Sequence, residues 1–378
     1  MIYLDNSATT FPKPESVINS VNLAMRYYSA NPGRSGHALS LKAAQAVFDC
    51  RKSICSLFNV DDESKVIFTP GCTYSLNTVI KGVLSPGDHC VISSFEHNSV
   101  VRPLEKLKSK HISYSVAKVY PHDNDKTVDS FRKSIKENTK LVVCTHASNV
   151  FGFRLPVERI CALCHNYGIL FCLDAAQSGG VLPIDIEKYN YDYVCCAGHK
   201  GLYGPMGVGV LVVNSDVIPD SLLEGGTGSE SQNLEQPEFT PDRFESGTLN
   251  VPGICGLKKG IEVVQNKTTL AIANQEMSYI RYLYKELSKN EKIRLYTEIP
   301  TLDHFAPVLS FSVKDKNSED VASILNNKFQ IAVRAGLHCS PLAHQTMSTI
   351  DEGTVRVSPS IFTTRKEIEK LIFALKKI

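Results

Sequence analysis

Lys200 stands in the stretch Ala197-Gly198-His199-Lys200-Gly201, directly after the apolar run 191–196, with further glycines at Gly204 and Gly207. A lysine is ordinarily a solvated surface residue. One that follows a run too apolar to lie in water, among small residues that let a bulky ligand approach the backbone, reads as a desolvated amine. Desolvation lowers the pKa of an amine and suits it to Schiff-base chemistry with a carbonyl. Asp174 ends a second apolar run, 169–173. A carboxylate there needs a cationic or hydrogen-bonding partner, and two are open to it. One is the protonated ring nitrogen of a bound heterocycle; the other is a cap on the segment Ala175-Ala176-Gln177. Gly71-Cys72-Thr73, between a strand-like and a helix-like stretch, offers backbone N–H groups and a hydroxyl to a phosphate. Cys339 lies in the polar loop 334–339, where Arg334 and His338 flank it closely enough to favour the thiolate, the reactive form. Its alternative is one more buried structural cysteine.

These residues need a scaffold, and the pattern supplies one. Apolar runs at 65–68, 89–93, 141–145, 169–173, 191–196 and 208–213 alternate with longer helix-like stretches. Near-continuous apolar strands separated by helices predict a mostly parallel sheet buried on both faces. Ligands of such sheets bind beyond the carboxyl ends of the strands. Thr73, His97, Asn149, Asp174, Gln177 and Lys200 all follow the ends of apolar runs, so five strand ends converge on one candidate site. From 261 to 288 the pattern predicts one long helix leading to a second region. There follow a strand at 308–313, a helix at 319–328, the Cys339 loop, a strand near Val355 and a terminal helix, which together predict a smaller α+β domain. The segment 224–243, rich in Gly, Ser, Glu and Pro, predicts an exposed loop. The glycines from 204 to 209 lead into a strand without a suitably placed acid and do not match the dinucleotide fingerprint.

At 378 residues the chain is long for one core, and the expected division is a large domain, 13–262, with a smaller one formed by 1–12 and 263–378. With 43% hydrophobic and 21% charged residues and a net charge of +2, no strong field recruits nucleic acid or an anionic membrane. The first residues do not read as a secretory signal, and no apolar run approaches the roughly 20 residues of a membrane helix. The 12 cysteines fall largely in apolar runs, where they behave as small hydrophobes, and a reducing cytoplasm is expected. Cys161, Cys164 and His165 have the spacing of a haem attachment site but lie in a helix-like stretch, which makes them core residues. His111, His122 and His304 show no metal-ligand spacing, and no metal is expected.

Several blocks occur in order along nearly the whole chain. They are Tyr3-Leu4-Asp5-Asn6-Ser7-Ala8-Thr9-Thr10, Gly71-Cys72-Thr73, Glu96-His97-Asn98-Ser99, Ser148-Asn149, Asp174-Ala175-Ala176-Gln177, Gly198-His199-Lys200, Arg243-Phe244-Glu245-Ser246-Gly247-Thr248, Arg334-Ala335-Gly336-Leu337-His338-Cys339 and Val355-Arg356-Val357-Ser358. This ensemble resembles the cysteine desulfurases and selenocysteine lyases of the class V aminotransferase group. The resemblance implies an α/β, aspartate aminotransferase-like fold of pyridoxal 5'-phosphate enzymes, with a mostly parallel central sheet in the large domain and a small α+β domain. It implies that Lys200 joins the cofactor covalently and later carries the Cα proton. His97 stacks on the ring and assists proton transfer, Asp174 meets the ring nitrogen, and Gln177 meets the phenolic oxygen. Thr73, the Cys72-Thr73 backbone and His199 hold the phosphate, joined by Thr248 from a partner subunit, which makes a homodimer the expected state. Arg356 clamps the substrate carboxylate, with Asn149 and Arg334 assisting. Cys339 takes sulfur from L-cysteine or a close analogue as a persulfide, leaving alanine.

The short loop 334–339 resembles the branch that relies on a protein sulfur acceptor or serves selenocysteine. Selenocysteine lyase and cysteine sulfinate desulfinase are therefore the nearest alternatives, followed by a true aminotransferase and a non-catalytic cofactor-binding partner in a sulfur-transfer assembly. Three departures stand out: Ala197 where the group generally has serine, Cys72 where it has a small or hydroxylated residue, and the altered loop 224–229. The lost serine removes a hydrogen bond worth about 0.5–1.5 kcal/mol toward the phosphate.

Overall fold

The apolar runs pair into a sheet whose alternate residues enter two different cores. In a computed structural model describing residues 1–33 and 36–378, thirteen strands are seen among the described residues. In chain order they are β1 (Ile2–Tyr3), β2 (Val66–Thr69), β3 (His89–Ser93), β4 (Ser113–Ala117), β5 (Thr139–Thr145), β6 (Leu170–Asp174), β7 (Tyr193–Ala197), β8 (Gly209–Val213), β9 (Ile293–Leu295), β10 (Leu309–Val313), β11 (Ile331–Ala332), β12 (Arg334–Gly336) and β13 (Thr354–Val357). The large sheet runs β2-β8-β7-β6-β5-β3-β4. The five strands β3 to β7 are parallel, and β8 reverses to lie antiparallel between β7 and β2. Val142, Cys144, Phe171, Leu173, Val194 and Cys196 face one core, while Leu141, Val143, Cys172, Tyr193 and Cys195 face the other. Both faces exclude water, so neither residue parity can be polar, and this is why these segments read as unbroken apolar runs.

β4 was not expected. It forms the sheet edge, only Ala117 of its five residues is buried, and its polar composition hides it from an apolar pattern. Residues 224–241 hold no helix or strand and are largely exposed, as an acidic, glycine-rich segment should be. Cys161 and Cys164 are buried in the helix Val157–Asn166, and His165 Nε2 lies 3.0 Å from Asp192 Oδ2, so the haem-like spacing is ordinary helix packing. No described helix is long and apolar enough to cross a membrane.

The single helix expected at 261–288 is two helices, Val251–Lys267 and Thr269–Leu287. The break is Thr268, whose φ of 66° is incompatible with the helix and whose hydroxyl accepts a hydrogen bond from Ala271 N–H at 3.2 Å. A continuous apolar periodicity cannot reveal a single residue of reversed φ. The first helix also spans the expected domain boundary at 262. Beyond it, β12-β13-β10-β9 form an antiparallel sheet, and β1 pairs in parallel with β11, joining the N-terminal segment to residue 331.

Glu276 on the second of these helices is buried with one side-chain partner, the Tyr203 hydroxyl at 3.3 Å, and burial raises its carboxyl to about 8. A carboxyl with a folded pKa near 8 against 4.5 unfolded binds more protons when folded across that window. Its stability contribution is therefore present below the unfolded value and lost as pH rises toward 8. Glu276→Gln, neutral at every pH, should raise the melting temperature at pH 8 and leave it nearly unchanged at pH 4.5; equal shifts at both pH values would contradict a buried neutral carboxyl.

Candidate active site

The ends of β3, β5, β6 and β7 deliver polar side chains to a common cavity of about 680 Å³. Lys200 and His199 follow β7, Asp174 ends β6 with Gln177 close behind, Asn149 follows β5, and His97 follows β3. The helix Cys72–Val83, entered from β2 through Gly71, turns its first residues Cys72 and Thr73 to the same space. All eight residues line it. Burial lowers the Lys200 amine below its usual range, outweighing the opposite pull of Asp174. Burial likewise raises the Asp174 carboxyl, opposed by the Ala176 N–H, Lys200 and the Cys72 thiol.

Asp174 Oδ1 accepts from Ala176 N–H at 2.9 Å and from Cys72 Sγ at 3.6 Å, so the turn cap and the pocket role coexist on one carboxylate. The Cys72 thiol is held well above its ordinary pKa by burial and is a neutral donor. The glycines near Lys200 act differently from expectation. A Cβ on Gly198 would stand 2.5 Å from Val208 O, and one on Gly201 would stand 2.5 Å from Gly179 O. They admit neighbouring backbone; of the four, Gly207 alone lines the cavity.

His97 Nδ1 accepts from Ser99 N–H at 3.0 Å, which caps the helix Asn98–Leu107 and leaves the proton on Nε2. Its pKa is lowered to about 4 by burial and then by Lys200 and nearby arginines, so the ring is neutral. Glu96, the preceding residue, is a feature that sequence reading missed as more than part of a motif. It is fully buried and raised to about 8 by burial and the Asp174 charge. Its Oε1 accepts from Ser93 Oγ and from Thr145 N–H at 2.8 Å, tying the ends of β3 and β5 together.

Arg334, Cys339, Arg356 and Thr248 are not on this wall. Cys339 adjoins it, lining a second cavity that shares Thr73 and His97, and is the one exposed cysteine of the 12. The Arg334 guanidinium lies 3.7 Å from its Sγ. His338 is buried against His344, and burial with Arg356 lowers its pKa to about 2; it supplies no positive charge to Cys339, contrary to the reading from its position. Asn149 Nδ2 donates to His338 O at 2.8 Å and its Oδ1 accepts from Ser340 Oγ at 2.6 Å, so this amide holds the thiol loop. Arg356 is buried, 2.6 Å from Asp5 Oδ1 and 2.8 Å from the Asn149 carbonyl. Asp5 belongs to the opening motif, but 351 residues separate it from Arg356 and no local spacing couples them. Gln177 Nε2 donates to Ser7 O at 3.1 Å. Thr248 is exposed; its block is anchored by Glu245, which accepts from Phe68 N–H at 2.7 Å and pairs with Arg51 at 2.6 Å.

The walls fit pyridoxal phosphate. The Cys72–Val83 helix opens on the cavity with Thr73 at its first turn, and His199 Nδ1 is buried without a partner among the described residues. A buried acid and a depressed amine share the same space. Ala197 lines it without a hydroxyl. Fold and site thus define an enzyme dependent on pyridoxal phosphate. The chain belongs to the class-V aminotransferase family, whose model matches residues 2–371. It is 31% identical to a probable cysteine desulfurase of Methanothermobacter thermautotrophicus, the match covering 100% of this chain and 94% of that one. It is 33% identical to one of Pyrococcus abyssi with the same coverage. The apo cysteine desulfurase of Thermococcus onnurineus superposes with a TM-score of 0.92 at 29% identity, over 100% of this chain and 94% of that chain.

Iodoacetamide should label one thiol per native chain, Cys339, and Arg334→Ala should slow that reaction about three- to tenfold by removing the cation beside the thiolate; rapid labelling of further cysteines would contradict the burial pattern. Because Glu96 is uncharged near neutral pH, Glu96→Gln should keep most cofactor binding and turnover, whereas Glu96→Ala, which strips the Thr145 N–H of its acceptor, should lose about 1–3 kcal/mol of stability in denaturant titration.

Proposed function

We propose that this chain is a cysteine desulfurase that converts L-cysteine to L-alanine and leaves the sulfur as a persulfide on Cys339. The observation that carries it is the exposed Cys339 Sγ beside the Arg334 guanidinium, in a cavity that shares Thr73 and His97 with the one lined by Lys200 and Asp174. Bound pyridoxal phosphate supplies an electron sink that makes cleavage of the substrate Cβ–S bond accessible. Lys200 would hold it and, as an amine of depressed pKa, would accept and return the Cα proton. Asp174 would hold its ring nitrogen, Gln177 its phenolic oxygen, and His97 the ring itself. Thr73, the Cys72-Thr73 backbone and His199 would hold the phosphate, joined by Thr248 across a twofold homodimer. Arg356 takes the substrate carboxylate by its bidentate fork, which requires it to share or release Asp5. Asn149 and Arg334 bound the substrate's other side. The Cys339 thiolate attacks the substrate sulfur, forming one S–S bond as Cβ–S breaks, and Cβ gains a proton. The division into 13–262 and 1–12 with 263–378, cytoplasmic residence and a protein sulfur acceptor complete the proposal.

Purified protein given cysteine and a reductant should release alanine and sulfide in equal amounts. Cys339→Ala should reduce this at least about a hundredfold, and Lys200→Ala should remove the bound cofactor's absorbance and all turnover. Cysteine turnover surviving Cys339→Ala would overturn persulfide chemistry at this residue. Selenocysteine cleavage persisting in Cys339→Ala, with no cysteine turnover in the wild type, would select the lyase reading. Sedimentation should give a dimer, and Thr248→Ala should weaken cofactor retention.

A further inference from the structure

Cys339 opens outward as well as inward. The cavity it lines, about 410 Å³, shares His97 and Thr73 with the inner site and continues between the helices Cys72–Val83 and Asn98–Leu107. Thr73 and Lys81 lie eight residues apart on one face of the first helix, and Asn98, Arg102 and Lys106 are spaced by four on the second, so each set projects from one side. Lys81, Arg102 and Lys106 therefore line the same space as Cys339, and no acidic residue lines it. Among the described residues none of the three cations has a carboxylate partner. The carboxylate nearest in sequence, Glu105, is occupied by Lys108 at 2.9 Å and by the Tyr114 hydroxyl. Arg334 adds a fourth positive charge at the thiol itself. Three unpaired cations beside a reactive thiol form a standing positive potential in a cleft, which concentrates anions and raises their encounter rate.

We propose that this outer cavity is the sulfur-acceptor subsite and that it takes an anionic acceptor, a thiolate flanked by carboxylates. This rests on the desulfurase reading. The acceptor thiolate attacks the terminal sulfur of the Cys339 persulfide, an S–S bond forms to the acceptor as the bond to Cys339 Sγ breaks, and Cys339 leaves as the thiolate. The sulfane sulfur passes on without an external oxidant or reductant. Lys81, Arg102 and Lys106 hold the acceptor's carboxylates and take no part in forming the persulfide.

The test uses the cofactor-loaded enzyme charged with one equivalent of cysteine. Discharge of the persulfide is timed with mercaptosuccinate, neutral 2-mercaptoethanol and cationic cysteamine, each rate normalised to that thiol's reaction with a low-mass alkyl persulfide. At low salt the anionic thiol should be favoured by about tenfold or more over the neutral one, with the preference fading in high salt. The triple variant Lys81→Gln, Arg102→Gln, Lys106→Gln should lose most of the preference while forming alanine normally in the first turnover. A charge-matched control with Lys110, Lys316 and Lys370 changed to Gln should keep it. A parallel arm with peptides bearing one cysteine among glutamates or among glutamines separates the sources: acceleration of the acidic peptide points to a protein-borne acceptor, and acceleration of mercaptosuccinate alone points to a free one. Equal normalised rates for all three thiols, or a preference untouched in the triple variant, would overturn the subsite while leaving the desulfurase reading intact. Absence of alanine and persulfide from the wild type would overturn that reading and the subsite with it.

Discussion

The carboxylate of Asp174 is buried and the amine of Lys200 half-buried at the carboxyl ends of adjacent parallel strands, and each shifts toward its neutral form as a result. Opposite charges so placed recover part of their hydration through one another, through the Ala176 N–H and through the Cys72 thiol, but a carboxylate and an amine keep further bonding capacity that the protein does not fill. A ligand bearing a protonated ring nitrogen and a carbonyl carbon would fill both at once. The rest of the large sheet follows from holding these two groups apart from solvent. Its two-sided apolar packing fixes the strand ends, and Glu96 ties β3 to β5 just where His97 must turn inward.

The thiol loop depends on that frame. His338 and Cys339 both have positive φ, 53° and 59°, in residues that bear side chains. Such a conformation costs on the order of 1 kcal/mol per residue and persists only when the surroundings over-determine it. Here Asn149 grips the loop on both sides of Cys339, and Asn98 N–H donates to the Cys339 carbonyl at 2.8 Å. The same Asn149 receives Arg356 at its own carbonyl, and Arg356 in turn holds Asp5. Loop, Arg356 and N-terminal segment are thus one hydrogen-bonded unit seated on the end of β5. Coupling of this kind explains how a loop of the C-terminal region keeps its thiol in the cavity that adjoins the one at the strand ends and shares Thr73 and His97 with it.

Much of this was legible in the residues alone. The buried sheet showed as apolar runs because both faces exclude water, and the polar residues just past those runs were necessarily at strand ends. Thr73, His97, Asn149, Asp174, Gln177 and Lys200 could therefore be gathered without coordinates; Cys72 came from the turn between strand and helix, and His199 from the family resemblance. Where a property depends on one residue's φ or on which neighbour fills a space, the pattern was silent or misleading. The break at Thr268, the edge strand β4, the backbone packed against Gly198 and Gly201, and the neutrality of His338 are of this kind.

Local order in a chain dictates periodicity, and periodicity dictates which side chains leave a strand together; the sequence by itself thus determined the sheet, its buried faces and the roster of groups at its ends. Pairing across distance has no such signature. That Asp5 would meet Arg356, that Asn149 would hold the Cys339 loop, and that Lys81, Arg102 and Lys106 would gather around one thiol were decided by tertiary structure. Burial and charge are properties of the space between elements, and that space exists only once the elements have packed.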